Sequence, residues 1–126
     1  MPVAVSPVGM NVERRDELID AYFDALDEDD YSLVEPYLSA DLVYKSVGLD
    51  ALHGPEGLRR YFEELRPFAG TVHEVENRMH SEHGSAAEGR VTGEHEGESL
   101  DTGFCDVFEF DENEEHLTRI VVYTNA

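Results

Sequence analysis

Residues 18–65 read LIDAYFDALDEDDYSLVEPYLSADLVYKSVGLDALHGPEGLRRYFEEL, and this stretch decides the fold. Its first part carries an apolar stripe with the spacing of one helical face, while acidic residues cover the other side. A second helix is expected over Tyr31–Leu38, where Ser32 and Glu35 have the spacing of a capping box. This helix should be short or bent, because Pro36 lies too deep for a regular first turn. The stripe of the first helix consists of Leu18, Ile19, Tyr22, Phe23 and Leu26.

A strand and a third helix complete this stretch. The β-branched and aromatic run over residues 42–47 predicts a strand whose alternation puts Leu42, Tyr44 and Ser46 on one face. Pro55 is typical of the first residue of a helix, and Pro67 should stop that helix. Its buried face would consist of Leu58, Tyr61, Phe62 and Leu65.

After Thr71 the helical period disappears, and β-forming segments alternate with turn residues. Four strands are predicted over residues 71–81, 86–95, 100–110 and 116–124. Helices followed by an antiparallel meander indicate an α+β domain with its helices on one face of a curved sheet. The length suits a single domain over residues 11–126, preceded by a flexible N-terminal arm over residues 1–10.

The charge is strongly unbalanced, with 29 Asp and Glu against 9 Lys and Arg and a formal net charge of -20. The acidic residues spread over every predicted element, which indicates a solvated acidic surface rather than one binding site. Lys45 is the only lysine. An acidic, lysine-poor surface resembles those of cytoplasmic proteins from halophilic archaea, where molar salt shortens the screening length to about 3 Å.

Several classes of partner and site are excluded by composition. Nucleic acid is not an expected partner, because no basic stripe exists to contact phosphates. The first ten residues resemble neither a secretory signal nor a membrane span, so we expect a cytoplasmic protein with no membrane partner. Cys105 is the only cysteine, which excludes an internal disulfide and a thiolate metal cluster.

The strand over residues 100–110 contains an anomaly. Phe104, Asp106 and Phe108 share one face by simple alternation, so a carboxyl group lies in an aromatic row. Burial among rings raises the pKa of such an acid, which can then stay protonated and donate a hydrogen bond. Perturbed acids of this kind cluster at functional sites. The alternative is structural: Asp106 could simply bind the hydroxyl of Tyr22 and hold the first helix on the sheet.

Four segments together resemble the nuclear transport factor 2-like superfamily, and within it the SnoaL-like and ketosteroid-isomerase-like branch. The resemblance implies a cone-shaped, curved and mostly antiparallel sheet wrapped around three N-terminal helices. It also implies an apolar pocket between them and a homodimer formed through the sheets. This fold serves isomerases, cyclases, dehydratases, hydrolases and non-catalytic binders. The segments are residues 21–26, 40–44, 53–58 and 106–111.

The resemblance assigns roles to individual residues. Tyr22 falls where the isomerases keep an oxyanion-hole tyrosine, and Asp106 falls where they keep a protonated aspartic acid, for which ketosteroid isomerase is the standard example. Ser46 matches their proton-shuttling aspartate, but a serine hydroxyl cannot do this at neutral pH without help. The candidate replacement bases are His53, His73 and His95, and His53 ranks first because its loop should lie near the mouth of the cone. Alternatively, His53 merely hydrogen-bonds nearby backbone.

The predicted function is that of a cofactor-independent isomerase or cyclase, with Tyr22, Asp106 and His53 as its catalytic residues. An apolar small molecule would bind in the pocket, and the alternatives are non-catalytic binding of an apolar metabolite or a dimerisation module. No metal is expected, since the spacing of His80 and His83 puts them on opposite faces of a strand. The expected pocket residues are Phe23, Tyr37, Tyr44, Ser46, Phe62, Phe104, Phe108 and Tyr123.

Overall fold

The computed structural model of this chain describes residues 10–125. Asn11 is the cap residue in front of the first helix. The arm predicted over residues 1–10 therefore lies, except for Met10, outside the described residues. Two α-helices and six strands follow one another. They are α1 Val12–Glu28, β1 Leu38–Lys45, β2 Leu52–His53, α2 Gly54–Arg60, β3 Phe68–Ser81, β4 Gly84–His95, β5 Glu98–Phe110 and β6 Leu117–Thr124.

The six strands form one sheet in the order β2-β1-β6-β5-β4-β3. Every neighbouring pair is antiparallel except β1 and β6, which run parallel. Register shifts interrupt β3 between Ala69 and Val72 and between Val75 and Asn77. Such irregularities bend a strand and increase its twist, which helps the sheet to curve around the helices. The predicted α+β class with a mostly antiparallel, curved sheet is confirmed.

Helix α1 forms because its apolar stripe and its cap agree. The Asn11 side chain accepts a hydrogen bond from the Arg14 backbone N–H at 3.1 Å, which satisfies one free donor of the first turn. Every residue of the predicted stripe is buried against the inner face of the sheet. The helix ends at Glu28, and the left-handed backbone of the cap residue Asp29 (φ 52°) closes the last turn. Neither α-helix within residues 10–125 is long and apolar enough to cross a bilayer.

A buried ion pair fixes the start of α1 to the sheet. Arg15 is 4% exposed, and its Nε lies 3.1 Å from an Oε2 of Glu114, which is 3% exposed. Arg15 also donates to the carbonyl oxygens of Ser81 and Gly84. The carboxylate of Glu114 in turn accepts the backbone N–H of Asn11, the cap residue. The charges are therefore paired and hydrogen-bonded, as buried ions require.

The prediction of a second helix over Tyr31–Leu38 is wrong, so the sheet packs on two α-helices rather than three. Two 3-10 turns, Tyr31–Leu33 and Glu35–Tyr37, occupy this segment. Pro36 has no N–H to continue a helix, which explains the break. The capping box is absent too: the cap is Asp30, whose side chain accepts the Ser32 backbone N–H at 3.0 Å.

Strand β1 begins and ends earlier than predicted. It starts at Leu38, at the end of the second 3-10 turn, and stops at Lys45. Leu42 and Tyr44 are buried as the alternation indicates. Ser46 lies beyond the strand, in the turn that continues to Gly48 with its positive φ of 76°. Ser46 therefore does not extend the inner face of β1.

Candidate functional site

A pocket lies between α1, the end of α2 and the inner faces of β3 to β6. Its apolar wall includes Leu26, Val91, Leu100 and Phe104. The volume of the cavity is about 40 Å³, which is room for a few water molecules. A larger ligand would need the walls to move apart. Side chains with chemically useful groups also face the pocket: Tyr22, Tyr44, Tyr61, Arg66, His73 and Asp106.

Asp106 is the acidic group of this pocket. It lies on β5 between Phe104 and Phe108, and only 2% of it is exposed. Burial raises the pKa of its carboxyl group well above the usual 3.8, although a backbone hydrogen bond at Tyr123 acts in the opposite direction. Its Oδ1 has no hydrogen-bond partner within residues 10–125. Burial therefore favours the protonated form of Asp106, and this oxygen is available to bond a ligand.

Tyr22 and Tyr44 form a buried hydroxyl pair beside Asp106. Their hydroxyl oxygens are 2.9 Å apart, and both residues are fully buried, Tyr22 on α1 and Tyr44 on β1. Burial raises the pKa of both phenols well above 10. Both phenols are therefore protonated. One hydroxyl donates to the other, which leaves one O–H hydrogen for a ligand oxygen.

His73 on β3 and Asp27 near the end of α1 form a second polar group at the pocket. Nδ1 of His73 hydrogen-bonds Oδ1 of Asp27, and the backbone N–H of His73 donates to Oδ2 at 2.8 Å. Burial alone would raise the pKa of Asp27, but the hydrogen bonds from His73 and Thr71 lower it below 3.8. The carboxylate is therefore charged, and it can accept a hydrogen bond from Nδ1–H of the imidazole.

With a hydrogen on Nδ1, an uncharged imidazole has its Nε2 lone pair available to accept a proton. The side chain is 9% exposed and lines the pocket. Its ring packs against Phe23 and Phe104, at centroid distances of 5.1 and 5.2 Å. A histidine that is held by a carboxylate and walled by rings has the parts of a general base. Ser46 lacks these parts, whereas His73 on β3 has them.

Arg66 and Tyr61 enter the pocket from an irregular turn. Residues 61–65 continue α2 as a π-helical turn, in which the Arg66 backbone N–H donates to the Tyr61 carbonyl at 2.9 Å. Such turns are rare and occur often at functional sites. Here the turn carries the Tyr61 ring to within 5.0 Å of the Tyr44 ring, between centroids. It also brings the Arg66 guanidinium to the wall of the pocket.

The structure brings some of the predicted site residues together and separates others. Tyr22, Tyr44, Phe104 and Asp106 all line the pocket. His53 does not: it is exposed at the end of β2. The ranking of His53 first was based on the position of its loop, and that loop faces solvent at this histidine.

The remaining predicted pocket residues lie elsewhere. Phe23 and Phe108 pack against the Tyr22 ring as core, and Phe62 packs between Tyr31 and Tyr61. Tyr123 is 56% exposed, because alternation along β6 puts it on the outer face. Tyr37 is half-buried beside Arg14, and Ser46 lies in its turn; neither lines the pocket.

Sequence reasoning missed Tyr61 and Arg66 as site residues and did not connect His73 with Asp27. Asp27 belongs to an acidic run and has no local feature that separates it from its neighbours. Arg66 precedes Pro67, which predicted only the end of a helix. The π-helical turn has no signal in the sequence pattern, and His73 is 46 residues from Asp27.

Chemically, the pocket combines a base with hydrogen-bond donors in a largely apolar cavity. His73 can accept a proton, while the Tyr22–Tyr44 pair and neutral Asp106 can donate hydrogen bonds to an oxygen that gains negative charge. Within residues 10–125 no three His, Cys, Asp or Glu side chains are arranged to hold a metal ion.

Comparison with known proteins gives one family and many structural neighbours. The model of the SnoaL-like domain family matches residues 19–120. No curated protein matches. A proposed SnoaL-like polyketide cyclase from Jannaschia sp. is 14% identical, with a TM-score of 0.78 over 98% of this chain and 92% of that one.

Two further neighbours carry enzyme names. An LEH-like epoxide hydrolase from Mycobacterium tuberculosis is 19% identical, with a TM-score of 0.73 over 90% of this chain and 84% of that one. An epoxide hydrolase/cyclase-like enzyme of pyran ring formation in the polyether salinomycin is 17% identical, with a TM-score of 0.75 over 91% and 93% of the two chains. At these identities the likeness concerns the fold.

Proposed function

This chain belongs to the SnoaL-like domain family, and on that premise we propose that its pocket binds a small carbonyl compound and catalyses proton transfer beside the carbonyl without a cofactor. The proposal is supported above all by Oδ1 of Asp106, a buried oxygen with no partner within residues 10–125, in the wall of the pocket. Leaving such a group unbonded costs about 1–3 kcal/mol, and a ligand oxygen would remove that cost. The catalytic residues are His73, Asp106 and the Tyr22–Tyr44 pair.

The step begins when Nε2 of His73 removes a proton from the carbon next to the carbonyl. The C–H electron pair forms a carbon–carbon double bond, and the carbonyl π electrons move onto oxygen to give an enolate. Asp106 and the tyrosine pair donate hydrogen bonds to that oxygen, and Asp27 stabilises the cationic imidazole. In a substrate with a double bond conjugated to the enolate, return of the proton from His73 to the far end of that double bond gives isomerisation. Attack of the enolate carbon on a second carbonyl carbon of the same molecule, whose oxygen then takes the proton from His73, gives cyclisation.

Deuterium exchange tests the first half of this reaction. Proton NMR in D₂O would follow exchange beside the carbonyl of hexane-2,5-dione and 4-oxopentanoate. We expect His73→Gln and Asp106→Leu to lower the enzymatic exchange rate by about 100-fold each, because they remove the base and one donor. Asp106→Asn should keep most of the rate, since its amide still donates a hydrogen bond.

The matched control is His53→Gln, which changes an exposed histidine outside the pocket and should leave the rate unchanged. Exchange by the wild-type protein no faster than by buffer would contradict the proposal. Equal rates for wild type, His73→Gln and Asp106→Leu would contradict it too. In the first case, ligand binding without exchange would favour the second candidate, a non-catalytic pocket. The absence of a carboxylate at Ser46 supports that candidate.

We also propose that two copies pair through the outer face of the sheet. The register aligns Met79, Ala86, Val107 and Val121 in one apolar row across β3, β4, β5 and β6. Met79 is 50% exposed, although large apolar side chains favour burial. Val107→Glu should convert a dimer into a monomer in analytical ultracentrifugation, whereas Glu88→Gln on the same face should not. A monomeric wild type would contradict this pairing.

A further inference from the structure

Arg66 differs from every other arginine of the chain in its ion pairs. All the other arginines have a carboxylate oxygen within 4.0 Å, as expected for a chain with 29 acidic residues. Arg66 has no such carboxylate within residues 10–125, although its side chain is half-buried. An arginine that lines an apolar pocket without a paired carboxylate carries a positive charge that an anionic ligand could neutralise.

The contacts of Arg66 hold its guanidinium without neutralising it. Nη1 donates to the Leu26 carbonyl at 3.0 Å, and Nη2 donates to Oγ1 of Thr71 at 2.8 Å. Both acceptors are uncharged. Asp27 is reached only through Thr71, and its carboxylate already binds His73. The side chain is therefore fixed in place, which suits recognition of a planar anion.

One nitrogen of this guanidinium remains unused. Nε is buried and has no hydrogen-bond partner within residues 10–125. Only one other buried side-chain atom among these residues is in the same state, namely Oδ1 of Asp106. Arg66 and Asp106 line the same pocket. A single ligand could thus satisfy both atoms, with an anionic oxygen on Arg66 and a carbonyl oxygen at Asp106.

We propose that the substrate is a short oxo acid, whose carboxylate pairs with Arg66 while its carbonyl oxygen accepts hydrogen bonds from Asp106 and the Tyr22–Tyr44 pair. This rests on the proposed function, because the carbonyl end is the one that reacts. Arg66 selects the substrate by charge, despite a protein surface that repels anions. The carbon between the two anchored ends would then lie beside His73, which is also in the pocket wall.

The test compares two ligands of nearly equal shape. In 4-oxopentanoate and hexane-2,5-dione a carboxylate replaces an acetyl group at one end, and the other end is the same methyl ketone. NMR titrations at one fixed potassium chloride concentration would give both dissociation constants. We expect wild type to bind 4-oxopentanoate at least about tenfold more tightly, as a charge-assisted hydrogen bond implies.

Arg66→Gln should abolish this preference, and Arg60→Gln, an exposed arginine paired with Glu64 at 3.9 Å, should keep it. The two dissociation constants of the wild-type protein test the proposal even if Arg66→Gln does not fold. Equal binding of the two ligands, binding of neither, or a preference that survives in Arg66→Gln would overturn the proposal.

The deuterium exchange experiment separates this result from the proposed function. Exchange in both ligands without a preference for the carboxylate would overturn the oxo-acid assignment and leave proton transfer standing. A preference that depends on Arg66, without exchange in either ligand, would support anion selection while contradicting proton transfer.

Discussion

Asp106 shows how the burial of a single acidic residue can make stability depend on pH. Burial disfavours the charged form of its carboxyl group and raises its pKa. In the unfolded chain the same group ionises near pH 3.8. Folding above that pH must therefore take up a proton, and the free energy of unfolding falls as the pH rises. An isosteric neutral residue at this position would remove that cost.

We therefore predict that Asp106→Asn becomes more stable relative to wild type as the pH rises from 4 to 8. The folded pKa is raised, so its stabilising contribution is complete below the unfolded pKa and is lost above it. The difference grows by at most about 1.4 kcal/mol per pH unit until the folded carboxyl ionises. Urea unfolding of both proteins at several pH values measures this difference.

Asp27→Asn is the opposite control. Hydrogen bonds from His73 lower the pKa of Asp27 in spite of its burial, so its contribution is present above the unfolded pKa and disappears as the pH falls. Removing it should cost stability at neutral pH and much less in acid. A difference between Asp106→Asn and wild type that does not change with pH would show that Asp106 is ionised in the folded protein.

Among the elements, those set by local pattern were predictable, and those set by distant contacts were not. The apolar stripe of α1 and the alternation of β5 were read correctly because each is decided within a few residues. The placement of Asp106 beside aromatic rings followed from the same alternation. The parallel pairing of β1 with β6 is not encoded locally, since these strands lie at opposite ends of the domain.

The choice of a candidate general base was limited in the same way, because it depends on contacts between distant residues. His53 was ranked first from its neighbourhood in the chain, whereas His73 is brought to Asp27 by the packing of α1 on β3. The alternation of a strand predicts which side chains point inward, but it does not predict which of them line the pocket. Phe108 and Asp106 share one face of β5, but only Asp106 lines the pocket. Which inward residues remain uncovered depends on the shape of the helical layer, and two 3-10 turns replace one of its predicted helices.

At the scale of the whole molecule, the acidic surface determines the conditions in which the fold holds together. Among residues 10–125, ion pairs involve every arginine except Arg66, yet they balance only a small part of the acidic charge. The net charge of -20 therefore repels itself across the folded surface. Unfolding relieves this repulsion, and salt screens it.

We predict that thermal stability increases strongly with potassium chloride, with a transition midpoint more than about 10 °C higher in molar salt than at low ionic strength. For a domain of this size that shift corresponds to roughly 2 kcal/mol or more. Circular dichroism melts at several salt concentrations give the midpoints. Glycine betaine at matched osmolality is the control, because it is excluded from protein surfaces without screening charge. The same gain with betaine, or a midpoint that ignores salt, would show that repulsion between the carboxylates does not limit this fold.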